Sequence, residues 1–181
     1  MRGRLFLLST LMAGLPAGAC TRDLRSADPS PLERAARELI AGAKYAALIT
    51  LGPDGHPQAR TVENLPPEAD FSVWFATTPR TRKVEEIRRD PRVTLYWFDP
   101  ERAGYVTLIG LASIVTDSAE RARHWQPGWE AFYPDRERDY LLIRVQPLRL
   151  EVVSPSQGIT GDSLTWRPPA VEFSPPVANR P

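Results

Sequence analysis

FSVWFATTPRTRKVEEIRRDPRVTLYWF, residues 71–98, runs from a β-prone stretch through a threonine-rich turn crowded with cations into a short helix and a second β-prone stretch. Phe71 to Thr77 and Arg92 to Phe98 are rich in aromatic and β-branched residues, and Pro91 ends the helix between them. Arg80, Arg82 and Lys83 fall at the start of that helix, where the macrodipole is already positive. Each cation there is unfavourable by roughly 0.3–1 kcal/mol. An anion held jointly by free helix-end N–H groups, threonine hydroxyls and basic side chains relieves the repulsion, and a phosphate meets that description. The alternative is a solvated basic helix start, because Arg82–Glu86 and Glu85–Arg89 also have i,i+4 spacing.

Outward from this segment the pattern stays mainly β. Tyr45 to Leu51 is an apolar strand, Gly52-Pro53-Asp54-Gly55 a turn, and His56 to Glu63 a second strand. Gly104 to Val115 predicts a long strand, and Tyr140 to Val153 alternates apolar and polar residues in another. Helical spacing appears in Pro31 to Ala43, with Ser30 as N-cap, and in Asp117 to Trp125. Gln126 to Pro134 is a looser aromatic segment. Six strands, one crossing helix and peripheral helices predict a small, mainly β barrel over residues 31–153, a normal size for one domain. Residues 154–181 form a tail rich in proline and glycine that is expected to pack on the barrel.

The net charge of +1, with both signs interspersed, argues against nucleic acid as the main partner. Arg2 and Arg4 precede an uncharged apolar run from Leu5 to Leu15, followed by small residues up to Cys20. Residues 1–19 therefore predict a secretory signal peptide, too short in its apolar part to span a bilayer permanently. Cys20 resembles the acylated cysteine of a bacterial lipoprotein, which implies a cell-envelope location with a lipid on Cys20 as the only membrane contact. A plain secreted protein, or a cytoplasmic one whose start is placed too early, are the other readings. Removing residues 1–19 takes away two cations and no anion, leaving a charge of −1. Residues 20–30 read as a tether. A lone cysteine permits no disulfide within the chain, and two histidines, His56 and His124, without a cysteine or carboxylate pattern suggest no metal site.

Four segments together carry a family resemblance: ALITLGPDGHPQARTVE at 47–63, WFATTPRTRKVEEIRRDPRVTLYW at 74–97, YVTLIGLASIV at 105–115 and HWQPGWEAFYP at 124–134. In order and spacing, from about Ala46 to Val153, the chain resembles the pyridoxamine 5′-phosphate oxidase-like superfamily of FMN-binding split barrels, and its general stress protein subgroup in particular. The resemblance implies a six-stranded split β-barrel that binds FMN at a homodimer interface and acts on a small-molecule redox substrate. Arg82 and Lys83 match the phosphate-binding pair, and Thr77 matches a strand-end hydroxyl beside it. Arg60, Thr61, Val62 and Glu63 match the strand that runs beside the flavin, Ala76 matches a backbone contact, and Tyr105 falls where the oxidase directs a glutamine towards the ring.

Flavin suits these residues chemically, since its dianionic phosphate takes charge-assisted bonds from Arg82, Lys83 and Arg60. Trp97, Trp125, Trp129 and Phe132 offer aromatic surface for the ring, or else serve core or dimer packing. Glu63-Asn64-Leu65-Pro66 stands where the oxidase has a substrate lysine, and the oxidase's Arg-Leu-Ala-Pro ending is missing, which argues against pyridoxamine phosphate oxidation. No residue declares itself as a general acid or base. An FMN-dependent oxidoreductase or stress flavoprotein is therefore expected, with a non-catalytic flavin- or haem-binding module and a deazaflavin-dependent reductase as rivals. Trp166 and Val171, in GITGDSLTWRPPAVEF at 158–173, are available to dock on the barrel or over the flavin mouth.

Overall fold

The computed structural model describes residues 29–174, so the expected leader, Cys20 and most of the tether lie outside the described residues. Helix α1, Pro31–Gly42, opens with a capping box: Glu33 N donates to Ser30 Oγ at 3.2 Å and Ser30 N donates to Glu33 Oε2 at 2.6 Å. Its buried stripe of Ala35, Ala36, Leu39 and Ile40 packs across the barrel strands. The strands are β1 (Tyr45–Leu51), β2 (Pro57–Glu63), β3 (Val73–Thr77), β4 (Arg92–Asp99), β5 (Gly104–Val115), β6 (Leu141–Val153) and the short β7 (Ala170–Glu172). Helices α2 (Arg82–Arg89), α3 (Ser118–Arg123) and α4 (Arg136–Asp139) connect or cover them. No helix of the described residues is long and apolar enough to cross a membrane.

All pairings are antiparallel, in the order β2-β1-β4-β5-β6-β3. The sheet curls until its two ends meet: Asn64, just past β2, bridges Phe75 of β3, and Leu65 N donates to Trp74 O at 2.8 Å. This is the six-stranded split barrel that the sequence predicts. Directly paired residues share a face, and one inner row runs Arg60, Leu48, Leu95, Leu108, Leu150 across five strands. The four leucines are wholly buried, so the row leaves Arg60 at the rim as its one charged member. Opposite Ile109 and Gly110 the register skips Leu148, a bulge in β6, and a Cβ at Gly110 would press on the carbonyl oxygen of Gln146.

Two stretches depart from the sequence expectation. The strand expected at Phe71 begins at Val73, because Asp70 Oδ1 accepts from Ser72 N at 2.8 Å in an Asx turn and Phe71 takes φ 62°. In the tail, β7 pairs with Arg149–Glu151 of β6, and the Phe173 ring lies 5.9 Å from that of Phe71. Val171 is thereby paired with Leu150, whereas Trp166 projects into solvent from a turn built on Asp162, which accepts from Leu164 N and Thr165 N. A three-residue strand is too short to leave a periodic signal.

Candidate functional site

Helix α2 begins without a side-chain cap. Thr81 occupies the N-cap position, but its hydroxyl donates backwards to Thr78 O at 3.0 Å and sits 3.2 Å from Thr77 Oγ1. Lys83 Nζ donates to Thr77 Oγ1 at 2.9 Å. Burial, and then the nearby Arg60 charge, push the Lys83 ammonium below its ordinary range, against an opposing pull from Glu86. Arg80 and Arg82 stand exposed beside it.

Glu86, one turn further on and 1% exposed, faces these cations from inside the barrel rim. Its Oε2 lies 2.7 Å from Arg60 Nη2 and accepts from Thr50 Oγ1 at 2.5 Å, while Arg60 Nη1 also meets the Thr50 hydroxyl. Its Oε1 sits 3.0 Å from Arg82 Nε without accepting an aligned hydrogen bond. The expected Arg82–Glu86 i,i+4 pair is thus formed, with Arg60 on the other oxygen of the same carboxylate. Arg60, Arg82 and Lys83 gather around one carboxylate, which leaves two uncompensated positive charges beside threonine hydroxyls and an uncapped helix start. A dianion is the matching complement.

The other residues singled out from sequence are distributed around this cluster. Ala76 precedes Thr77 on the outer face of β3, where it packs against Trp74, Tyr140 and Leu142. Thr61 and Glu63 are exposed on the outer face of β2, and Val62 is buried inside. Tyr105 is not brought to the cluster within one chain. It pairs with Val153 at one end of β6, whereas Thr77 pairs with Leu141 at the other. Tyr105 instead packs on Tyr96 at 5.6 Å, and burial, then Tyr96 and Glu151, push its phenol up.

Of the four aromatic residues offered for a ring or for packing, one proves to be core. Trp97 is 1% exposed in the main core and donates Nε1 to Asn64 Oδ1 at 3.0 Å, because alternation along β4 turns it inward. Phe132 projects into solvent. Trp125 packs edge-on with Trp129, Tyr133 and Tyr140, and Trp129 edge-on with Tyr133, outside the barrel wall. His56 is exposed in its turn, and His124 is buried against Trp74. Sequence reasoning missed Glu86, Thr50 and Thr81 as members of the cluster. Glu86 was visible only as a helix-surface partner of Arg82, since nothing in α2 reveals that β1 and β2 close over it.

The family model described as pyridoxamine 5′-phosphate oxidase matches residues 32–154. No curated protein matches the chain in sequence. Among solved structures, the chain is similar to a protein related to general stress protein 26, of the pyridoxinephosphate oxidase family, from Clostridium acetobutylicum. That match has 21% identity over 75% of this chain and 90% of the other, with a TM-score of 0.62. A pyridoxamine 5′-phosphate oxidase-related, FMN binding protein from Nostoc punctiforme is 17% identical over 82% of this chain and 100% of the other, with a TM-score of 0.55. A heme binding protein from Mycobacterium smegmatis is 22% identical over 71% of this chain and 55% of the other, with a TM-score of 0.56. At these identities the solved structures establish the fold alone.

Proposed function

The chain belongs to the pyridoxamine 5′-phosphate oxidase family, and from that premise we propose that it is a homodimeric FMN-binding flavoprotein acting as an oxidoreductase on a small molecule at the cell envelope. One observation carries the proposal: Lys83, Thr77, Thr81 and Arg82 converge at an uncapped helix start with more positive charge than Glu86 neutralises. The phosphate of FMN fits that donor set. It would take charge-assisted bonds from Lys83, Arg82 and the α2 amides, and it would restore the solvation that Lys83 loses by burial.

Bound flavin supplies reversible transfer of a hydride or of single electrons. This chain's residues bind the phosphate, orient the ring along Arg60 to Glu63 and limit access of water. Arg60 acts from behind: held by Glu86 and Thr50, it adds positive potential to the site and keeps β2 in register with α2. Thr77 and Tyr105 lie at opposite ends of β6, so a cofactor that meets both draws on two copies of the chain, which supports the homodimer. The outer face of the sheet presents Tyr45, Phe98 and Ile109 to solvent, an apolar surface suited to that contact.

Pyridoxamine phosphate oxidation is not part of the proposal, because Glu63-Asn64-Leu65-Pro66 supplies no substrate lysine and Asn64 is engaged with Trp97. The heme binding neighbour favours a second reading, a haem module. A histidine-ligated haem would draw on His56 or His124, and neither belongs to the basic cluster. An absorbance spectrum of freshly purified protein decides between them. The proposal expects a flavin band at ~450 nm and FMN released on denaturation. A histidine-dependent Soret band, selective uptake of a deazaflavin, or protein that stays colourless after incubation with FMN would each overturn it.

A further inference from the structure

The turn from Gly161 to Arg167 carries Leu164 and Trp166, which at 89% and 82% exposed are the two most exposed large hydrophobic side chains among the described residues. The turn is tightly closed. Asp162 Oδ1 accepts from Leu164 N at 3.1 Å, from Thr165 N at 2.8 Å and from Thr165 Oγ1 at 2.9 Å. Trp166 N donates to Asp162 O at 2.8 Å, and Asp162 N donates to Arg167 O at 2.9 Å. A Cβ at Gly161 would lie 2.7 Å from Trp166 O, so the closure admits no side chain there. Trp166 takes φ 56°, a left-handed conformation unfavourable for a bulky residue, and the Asp162 bonds hold it in that state. A turn fixed in this way presents both apolar side chains to solvent and gives them no route to the core.

Size, neighbours and the length of the tether together point to what covers them. A buried aromatic side chain contributes roughly 150–250 Å², so one tryptophan and one leucine fall well short of the ~800 Å² that each partner of a stable protein interface buries. Ser163, Thr165 and Arg167 alternate with the pair, which makes the apolar surface a narrow tip rather than a patch. Such a tip suits the headgroup boundary of a bilayer, where indole rings concentrate, aliphatic side chains reach the acyl region and an arginine meets anionic headgroups. The tail that carries the turn is tied to α1, because Gln157 Nε2 donates to Glu38 Oε2 at 2.9 Å. Residues 21–30 separate the expected lipid on Cys20 from the start of α1 at Pro31. A chain of that length reaches up to ~35 Å, about twice the ~18 Å length of α1, so one bilayer surface can take both the lipid and the turn.

We infer that the Leu164–Trp166 turn inserts into the headgroup boundary of a lipid bilayer, as a second membrane contact beside the lipid on Cys20. The inference rests on the cell-envelope reading and is independent of the flavin. Tryptophan fluorescence tests it, because the other tryptophans are sheltered. Trp74 and Trp97 are buried, and Trp125 and Trp129 pack on Tyr140 at the opposite end of β6 from the Ser154–Ile159 bridge that leads into the turn. The full chain is purified from membranes, its intact mass is measured, and it is reconstituted into phosphatidylcholine–phosphatidylglycerol vesicles with or without acyl-brominated phosphatidylcholine, a tryptophan quencher. Trp166 emission is read as the difference between the wild type and Trp166→Phe. On the vesicles it is expected to move to shorter wavelength and to lose most of its intensity to the bromolipid. Leu164→Asp, at a solvated position, is expected to abolish most of that quenching and to leave FMN affinity unchanged. A lipid-bearing chain whose Trp166 stays unquenched would overturn the inference alone, and emission at short wavelength without quenching would show that a second chain covers the turn instead. Quenching that Leu164→Asp does not reduce would also overturn it. An intact mass without acyl chains would overturn the cell-envelope reading, and the inference with it.

Discussion

Arg60 of β2 and Glu86 of α2 form a 2.7 Å ion pair across the barrel rim, joining the end of a leucine row to a carboxylate that is almost wholly buried. The pair explains how a helix start crowded with cations is tolerated before any ligand arrives. It also predicts how the two halves of the site separate under mutation. Glu86→Gln leaves Arg60 without its counter-charge, and breaking a buried pair from one side costs about 3 kcal/mol. Urea unfolding should register that loss. The same change makes the phosphate site more positive, so the folded fraction should bind FMN no more weakly than the wild type. Weaker FMN binding at unchanged stability would show that Glu86 serves the ligand directly.

Replacing Arg82 and Lys83 together by alanine removes the two donors nearest the α2 amides. The FMN dissociation constant is expected to rise about tenfold or more, equivalent to ~1.4 kcal/mol. Equilibrium titration of the double variant checks it, and an unchanged constant would place the phosphate elsewhere.

Lys83 also makes a prediction about pH. Its folded-state pKa lies below the ordinary 10.5, chiefly through burial. Below the folded value both states carry the proton, and the cost of the buried ammonium is present in full. As pH rises through the folded value towards 10.5, the folded chain releases the proton first, the unfolded chain binds more protons, and stability gains. Lys83→Met lacks this term. The stability of the wild type relative to Lys83→Met should therefore improve with pH in the alkaline window, read from urea midpoints in a pH series. A difference that stays flat would refute the assignment.

The outer sheet face carries the proposed dimer contact. Tyr45 and Phe98 are 49% and 51% exposed, so replacing both by lysine should change monomer stability little, by about 0.5 kcal/mol per site. Sedimentation should show a shift from dimer to monomer, with FMN binding falling alongside. A dimer that persists would move the interface to another face.

Gly110 of β5 faces the bulge in β6, where an added methyl group meets a backbone carbonyl rather than a yielding side chain. Gly110→Ala is expected to cost about 3 kcal/mol through overpacking, measured by thermal or urea unfolding. A neutral outcome would mean that β5 and β6 slide apart at the bulge without penalty.

Much of this protein was legible in local chemistry. Strand β1, strand β5 and the α2 boundaries follow from alternation, turn residues and Pro91, because side-chain period and backbone restriction act over a few neighbours. The basic, threonine-bearing start of α2 and the family signature around it were equally local. What the linear chain did not reveal depends on residues distant in sequence. Glu86 reads as an ordinary helix-surface acid until β1 and β2 fold over it and bring Thr50 and Arg60 to its carboxylate. Trp97 reads as a candidate ring partner until alternation along β4 and the Asn64 bridge turn it into core. The sequence by itself determined a barrel with a cation-rich helix start. Only the tertiary structure decided which cations are internally neutralised and that Tyr105 stands at the far end of β6, since electrostatic pairing and burial depend on where the sheet closes rather than on spacing along the chain.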